Sequence, residues 1–523
     1  MRTRGRYERR RTPRERVRAT LADPLSADIA LTLLLVGTAF ARYRILTDRH
    51  APATVDSGNW LAFGHAIMGN SPRSSSIVFP PLVPLLVAEM ARIFGPIVAV
   101  GLLGSLTALL PAIAVYVALR ALGLRWSAVA LAALLAASAS VGEAAAWGGF
   151  PQLIGLALVT AFLVALDRAL ERPRWQASVA VAVLFTLILL TSHFVAIFAV
   201  MAAGAVVGLA LLASGPGRWR WLVARLPTFA LCLLPVIAVF PIYAPLLAAI
   251  AGNRPKGTDT ATATVGVQNL LETVEFTYRE APLVWRVLTL FAFFAPVAMR
   301  DRWRRPEWRL PVAGLVAIVV GTVLTHEARF LAFLPVVTVA AAGLWVLAGT
   351  DALPSPKVWL QTLGAGFVAL ILLIQATTGM RLFVDQREFY GIIQPGTFSG
   401  MNWLRIHTTP DTTLGVSTVD DAPLGWWLEG YVRRPTYYAS PLRWLSFPDE
   451  LRRARVANSV FTPRFPDETS LPRAAWHGID LLVVATGSNR YDPPRMRAFL
   501  RRHPQAVVYR NRDVIILRTS PGR

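Results

Sequence analysis

The stretch "VFPPLVPLLVAEMARIF", Val78 to Phe94, is greasy enough to suggest a membrane crossing, yet it carries prolines at 80, 81 and 84. Its reading decides the topology of everything downstream. Other apolar runs lie at 26–46, 97–121, 126–143, 149–167, 177–192, 194–213, 226–250, 283–300, 310–325, 328–350 and 357–380. Each is near the ~20 residues that a bilayer crossing needs. Lys and Arg collect in cytoplasmic loops, which tests the two options. If Val78–Phe94 spans, then Arg120, Arg125 and most later arginine clusters fall outside the cell. If it lies in the interface, Arg120, Arg125, Arg168, Arg172, Arg174, Arg218, Arg220, Arg225 and "RDRWRRPEWR" (300–309) all fall inside. Proline suits the first turn of a helix better than mid-membrane, so the second option is preferred. The expectation is a polytopic α-helical membrane protein with about 11 transmembrane helices plus one interfacial helix.

Composition agrees. Only 16% of the 523 residues are charged and the mean hydropathy is +0.48, against about 25% charged in soluble domains. The net charge of +22 arises from arginines in short loops and in the tail "MRTRGRYERRRTPRERVR", which has no small-residue cleavage site. Residues 1–25 read as a basic cytoplasmic tail, topogenic or touching anionic lipid, and not as a nucleic-acid binder. The lone Cys232 lies in an apolar run, so no intramolecular disulfide can form.

From about residue 382 the pattern changes. "TTLGVST" and "GIDLLVVAT" read as buried strands, "AVVYR-NRD-VIILR" as a hairpin and "PLGWWLEGYV" as a short helix between strands. The division expected is 1–25 tail, 26–381 transmembrane domain with outer loops 47–96 and 251–282, and 382–523 a C-terminal soluble α/β domain outside the cell.

With this topology the chemistry-bearing side chains collect at the outer ends. The first outer loop, from "TVDSGNW" onward, holds Asp56, Asn59, His65 and Arg73, and "GEAAAWGGFPQ" holds Glu143, Trp147 and Gln152. "LLTSHFVA" holds Ser192 and His193, the 251–282 loop holds Lys256, Asp259 and Glu272 among others, and "THEARF" holds His326, Glu327 and Arg329. Ionisable groups at membrane depth are costly, which invites a functional reading. Each also has an ordinary structural one. Asp56 suits a helix N-cap, Glu143 a solvated helix end, His193 a hydrogen-bonded junction, and Glu327 a surface pair with Arg329. Two cations beside an apolar helix, His326 and Arg329, also suit a lipid phosphate. No phosphate loop, H-E-x-x-H helix or paired C-x-x-C is present, so ATP-driven transport and zinc hydrolysis are disfavoured. A secondary transporter would show breaks in matching halves, and the halves here do not match.

The order of these features resembles the GT-C superfamily of membrane glycosyltransferases, which includes oligosaccharyltransferases, protein O-mannosyltransferases and aminoarabinose transferases. The resemblance rests on "VDSGNWLAFGHAIMGN", "FPPLVPLLVAEMARIFGP", "WGGFPQLIGLAL", "RFLAFLPVV" and "WWLEGYVRRPTYY". It implies a polyprenyl-phosphate sugar as donor and a glycan, lipid or protein acceptor in the cell envelope, at the outer side of the cytoplasmic membrane. It also implies Asp56 as the catalytic acid of the first loop. Glu143, Trp147, His193 and Glu327 would contact the sugar, and His326 and Arg329 the lipid phosphate. A divalent ion, Mg2+ or Mn2+, is left open, with Asp56 and Glu143 as its ligands. The first loop lacks an adjacent Asp-Glu pair and "WWLEG" is not a W-W-D triplet, which argues against protein glycosylation as the default. A flippase or exporter of lipid-linked saccharide, and a non-catalytic assembly protein, are the alternatives.

Overall fold

The computed structural model describes residues 24–70, 79–252, 283–298, 305–325, 328–352, 358–416, 422–438, 453, 466–487 and 492–520. The first span, α1 (Pro24–Thr47), has 24 residues, about 36 Å of helix, and exposes Leu33, Val36 and Phe40 along one side. It is followed by two shorter helices, α2 (Ser57–Ile67) and α3 (Leu82–Phe94). At 13 residues α3 is about 20 Å long, well short of the ~30 Å hydrocarbon core. It starts directly after Pro80 and Pro81 and buries Val83, Pro84, Val87 and Ala88.

The bundle continues through α4 (Pro96–Thr107), α5 (Leu110–Ala121), α6 (Trp126–Ala136), α7 (Ala139–Trp147), α8 (Phe150–Glu171), α9 (Trp175–Thr191) and α10 (His193–Ala213). Next come α11 (Leu226–Gly252), α12 (Leu283–Ala298), α13 (Pro306–Thr325), a 3-10 turn at Ala328–Phe333, α14 (Leu334–Ala352) and α15 (Val358–Tyr390). Among the described residues, six stretches are long and apolar enough to cross a membrane, α4 and α5 counting as one. The pair α6–α7, bent by 44° at Ala137–Ser138, passes the same test only when the two helices are taken together. Trp175–Thr191, Leu283–Phe294 and Trp308–Val323 are shorter apolar helices.

The last apolar run does not stop where its hydropathy falls. α15 continues to Tyr390, because its charged end is held by α1 and the turn after it. Arg387 donates to Asp48 (2.5 Å) and to the carbonyl of Ile45 (3.3 Å), and Arg49 donates to Glu388 (2.5 Å). A second lock ties α13 to α8. Arg309 of α13, 4% exposed, donates to Asp167 (3.4 Å) and Glu171 (2.5 Å) of α8. In sequence that segment shows only a basic loop. Removing one partner of a buried pair strands the other charge and costs about 3–5 kcal/mol. Arg309→Leu should therefore lower the unfolding temperature of the detergent-solubilised protein far more than Arg168→Leu, which removes an exposed arginine. Equal losses would assign the Arg309 pair no special weight.

Beyond α15 lie α16 (Pro395–His407), β1 (Leu414–Val416), α17 (Ala422–Trp427), a π-helical turn (Leu428–Val432), α18 (Ser470–Trp476), β2 (Leu481–Ala485), α19 (Pro493–Arg502), β3 (Val507–Arg510) and β4 (Val514–Arg518). The sheet order is β1-β2-β4-β3. β1 pairs parallel with β2, and the β3–β4 hairpin completes the sheet antiparallel. A parallel pair needs a crossover, which the stretch containing α17 and α18 supplies. In the hairpin turn, Asn511 Oδ1 accepts from the amides of Asp513 and Val514, both at 2.9 Å. The three strand stretches and the helix in "PLGWWLEGYV" all stand where the sequence put them.

Two large apolar cores form among the described residues. One fills the helix bundle. The other runs without a break from Trp60, Phe63 and Val83 of α2 and α3 into Trp427, Val483 and Ile516 of the sheet region. The sheet region is therefore packed onto α2, the helix that Asp56 precedes.

Candidate active site

Asp56 occupies the N-cap position of α2, but its side chain makes no capping hydrogen bond. Its backbone is fixed instead. The Asp56 amide donates to the carbonyl of Trp147 (2.9 Å), and the Asp56 carbonyl accepts from the Trp60 amide (3.0 Å). Two residues earlier, Thr54 bonds to the Ser57 hydroxyl, and its carbonyl accepts from Trp427 Nε1 at 3.1 Å. Trp60 Nε1 donates to the carbonyl of Gly148 (2.7 Å). The first loop is thus laced to the α7 C-terminus on one side and to the sheet region on the other.

α7 is short and defined at both ends. Ser138 caps its start, accepting from the Val141 amide (3.3 Å), and Gly148 ends it with φ +94°. A β-carbon on Gly148 would stand 3.1 Å from Thr54 Oγ1, 3.2 Å from the Ser57 nitrogen and 3.3 Å from Asp56 Cβ. Glycine there supplies both the left-handed backbone and the close approach. Glu143 lies inside α7, not at a helix end, and is exposed, while Trp147 is half-buried. Tyr390, at the tip of α15, donates to Glu143 Oε1 at 2.9 Å. Burial pushes the Tyr390 hydroxyl above its usual pKa, and the charge of Glu143, its hydrogen bond and then the charge of Asp56 add to the rise. Asp56, Glu143 and Trp147, expected from two separate loops, are thereby brought to one place. Tyr390 is the member that sequence reading missed, since it lies ten residues past the apparent end of the last apolar run.

His193 adjoins α2 through an aromatic wall. Ser192 breaks the chain between α9 and α10 and accepts from the Val195 amide (3.4 Å), leaving His193 as the first residue of α10. The His193 ring meets the Phe79 ring edge-on at 5.6 Å, and Phe79 in turn lies 4.7 Å from Trp60 and 5.7 Å from Phe63. The wall joins His193 to Trp60, the residue that bonds Gly148. The neighbouring Phe194 packs 4.6 Å from Phe330, so the start of α10 adjoins the 3-10 turn whose backbone includes Arg329. His326, Glu327, Arg73 and the candidates of the 251–282 loop lie outside the described residues.

The sheet region touches α2 through backbone. A β-carbon on Gly430 would lie 2.4 Å from the Gly58 carbonyl, and one on Gly58 would lie 2.7 Å from the Trp427 nitrogen. The "WWLEG" turn is therefore seated on the first turn of the helix that Asp56 precedes. His65, one further candidate of that loop, is buried in α2. Burial first, and the charge of Arg433 second, push its pKa down to about 4, with Glu89 opposing. A depressed histidine contributes stability above its unfolded pKa of ~6.5 that is lost as pH falls toward the folded value. Resistance to thermal unfolding should therefore weaken between pH 6.5 and 4, and His65→Gln should flatten that slope. A slope unchanged by the substitution would clear His65 of the acid sensitivity.

Among the described residues no three His, Cys, Asp or Glu side chains gather as a metal site. Asp56 and Glu143 alone offer fewer oxygens than the near-octahedral Mg2+ shell draws on unless water and substrate supply most of it.

No protein-family model matches the sequence, and no curated protein matches it. Solved structures do. ArnT from Cupriavidus metallidurans in the apo state superimposes with a TM-score of 0.59 at 16% identity, covering 95% of this chain and 99% of ArnT. The same protein bound to undecaprenyl phosphate gives 0.51 at 15% identity, covering 94% and 98%. The oligosaccharyltransferase of Archaeoglobus fulgidus in the apo form gives 0.57 at 15% identity, covering 88% of this chain and 69% of its own. The chain shares the fold of these proteins; in it, a bundle of long apolar helices is followed by a C-terminal region with a small sheet.

Proposed function

We propose that the protein is a GT-C glycosyltransferase that moves a sugar from a polyprenyl-phosphate donor to an acceptor of the cell envelope. The observation that carries this reading is the meeting of Asp56 with α7: a carboxylate that does not cap its own helix, anchored by its amide to the residue before Gly148, near Glu143 and Tyr390. That the solved neighbours include ArnT with undecaprenyl phosphate and AglB with dolichol-phosphate supports the choice of a lipid-phosphate donor.

In this mechanism the acceptor hydroxyl attacks the anomeric carbon while its proton passes to Asp56 as general base. The bond from the anomeric carbon to the phosphate oxygen breaks, and polyprenyl phosphate leaves with the electron pair. Arg329, assisted by His326, holds the charge that grows on the phosphate. One displacement inverts the anomeric centre, as in hydrolases that pair a base with leaving-group stabilisation. Glu143, Glu327 and His193 take sugar hydroxyls, and Trp147 gives the sugar an apolar face. No step is assigned to a metal. The arginine pattern supports a cytoplasmic N-terminus, with the Asp56 end, outer loops 47–96 and 251–282 and the region 382–523 outside the cytoplasmic membrane.

The test uses vesicles containing the purified protein, a panel of polyprenyl-phosphate sugars and an envelope fraction as acceptor. Acceptor-dependent release of free polyprenyl phosphate is the expected result. Intact donor appearing on the opposite membrane face, with no release, would instead identify a flippase.

A further inference from the structure

An apolar groove of about 630 Å³ runs along α1 and is walled on its other side by α4 and α5. Leu35, Ala39 and Phe40 line one wall, and Leu102, Leu106 and Ile113 the other. From Asp28 to Tyr43 its α1 wall spans 15 residue steps, about 22 Å. Hydrocarbon is the only solvent available at that depth, so an open apolar groove between spanning helices is filled by a lipid chain.

Its two ends differ. At one, Tyr116 and Arg120 both donate to Asp28; the groups satisfy one another, and the carboxylate disfavours an anion. At the other, Tyr43 lines the groove and the exposed Arg44 follows it in α1, neither side chain having a polar partner among the described residues. Arg44 stands one turn beyond Phe40 on the same stripe of α1. A cation and a hydroxyl at the interface, above a greasy slot, match the phosphate of a lipid with its chain below. The Asp28 cluster bounds the slot at its inner end. An acyl chain reaches about 15 Å, half of the ~30 Å core, and fits within it, whereas a polyprenyl chain is longer than the bilayer is thick and would overrun it.

We propose that this groove is a binding site for a glycerophospholipid of the leaflet at the Asp56 end, with one acyl chain between α1 and α4–α5 and its phosphate at Arg44 and Tyr43. The site is separate from the one around Asp56 and does not depend on the proposed transfer.

Native mass spectrometry of the full chain, purified with an equal mixture of dioleoyl phosphatidylglycerol and a polyprenyl phosphate, tests it. Wild type should retain a phosphatidylglycerol that Ala39→Trp, which fills the groove, loses. Ile197→Trp, on the exposed face of α10, should retain it. Arg44→Gln changes an exposed side chain and keeps the test alive should Ala39→Trp fail to fold; retention should be about tenfold weaker, the loss of one charge-assisted contact. Phosphatidylglycerol retained equally by every variant would overturn the proposal. Displacement of the polyprenyl phosphate by Ala39→Trp, with phosphatidylglycerol unchanged, would also overturn it and give the groove to the longer lipid.

Discussion

Gly148→Ala should slow sugar transfer by about fivefold while the protein still folds. Alanine at φ +94° costs roughly 1–2 kcal/mol for the left-handed backbone, which a large bundle tolerates. The effect on transfer is local. The new methyl group would meet Thr54 Oγ1, the Ser57 nitrogen and Asp56 Cβ at 3.1–3.3 Å, all in the loop that holds the proposed base. These neighbours must give by a few tenths of an ångström, a fraction of the 1 Å displacement that costs about 10²-fold at a reacting group. Gly204→Ala is the control, because a β-carbon there meets nothing within 4 Å and should leave turnover at the wild-type level. The comparison is of kcat in vesicles, beside the unfolding temperature of each variant. Wild-type turnover in Gly148→Ala would mean that α7 does not register Asp56.

The fold was legible in the sequence to the extent that hydropathy dictates it. Three prolines marked the start of α3, and alternating apolar residues marked β1, β2 and the β3–β4 hairpin. Features that hydropathy does not encode were missed. The extension of α15 to Tyr390 depends on Arg387 and Arg49 finding Asp48 and Glu388, partners far apart in sequence. The same holds for Arg309 with Asp167 and Glu171. At the site, Asp56 and Glu143 could be named from their loops, but their meeting rests on Gly148 and on the tip of α15, neither of which carries a chemical signal. "WWLEG" was legible as a helical turn. Its seat on Gly58 was not, because a glycine used for close approach looks in sequence like any other.

Asp56→Asn should abolish most of the activity without loosening the fold. Asparagine keeps the shape and the backbone bonds to Trp147 and Trp60, and no capping bond is lost because the carboxylate makes none. The proton acceptor is what disappears, and a positioned general base contributes about 10²–10⁴ in rate. The most direct test uses a polyprenyl-phosphate sugar in vesicles carrying wild type or Asp56→Asn, with donor binding and release of free polyprenyl phosphate measured together. Both proteins should bind donor, and the variant should release polyprenyl phosphate about a thousandfold more slowly. Release at the same rate from both would contradict the role of Asp56 as base, and would leave it as no more than the residue that precedes α2.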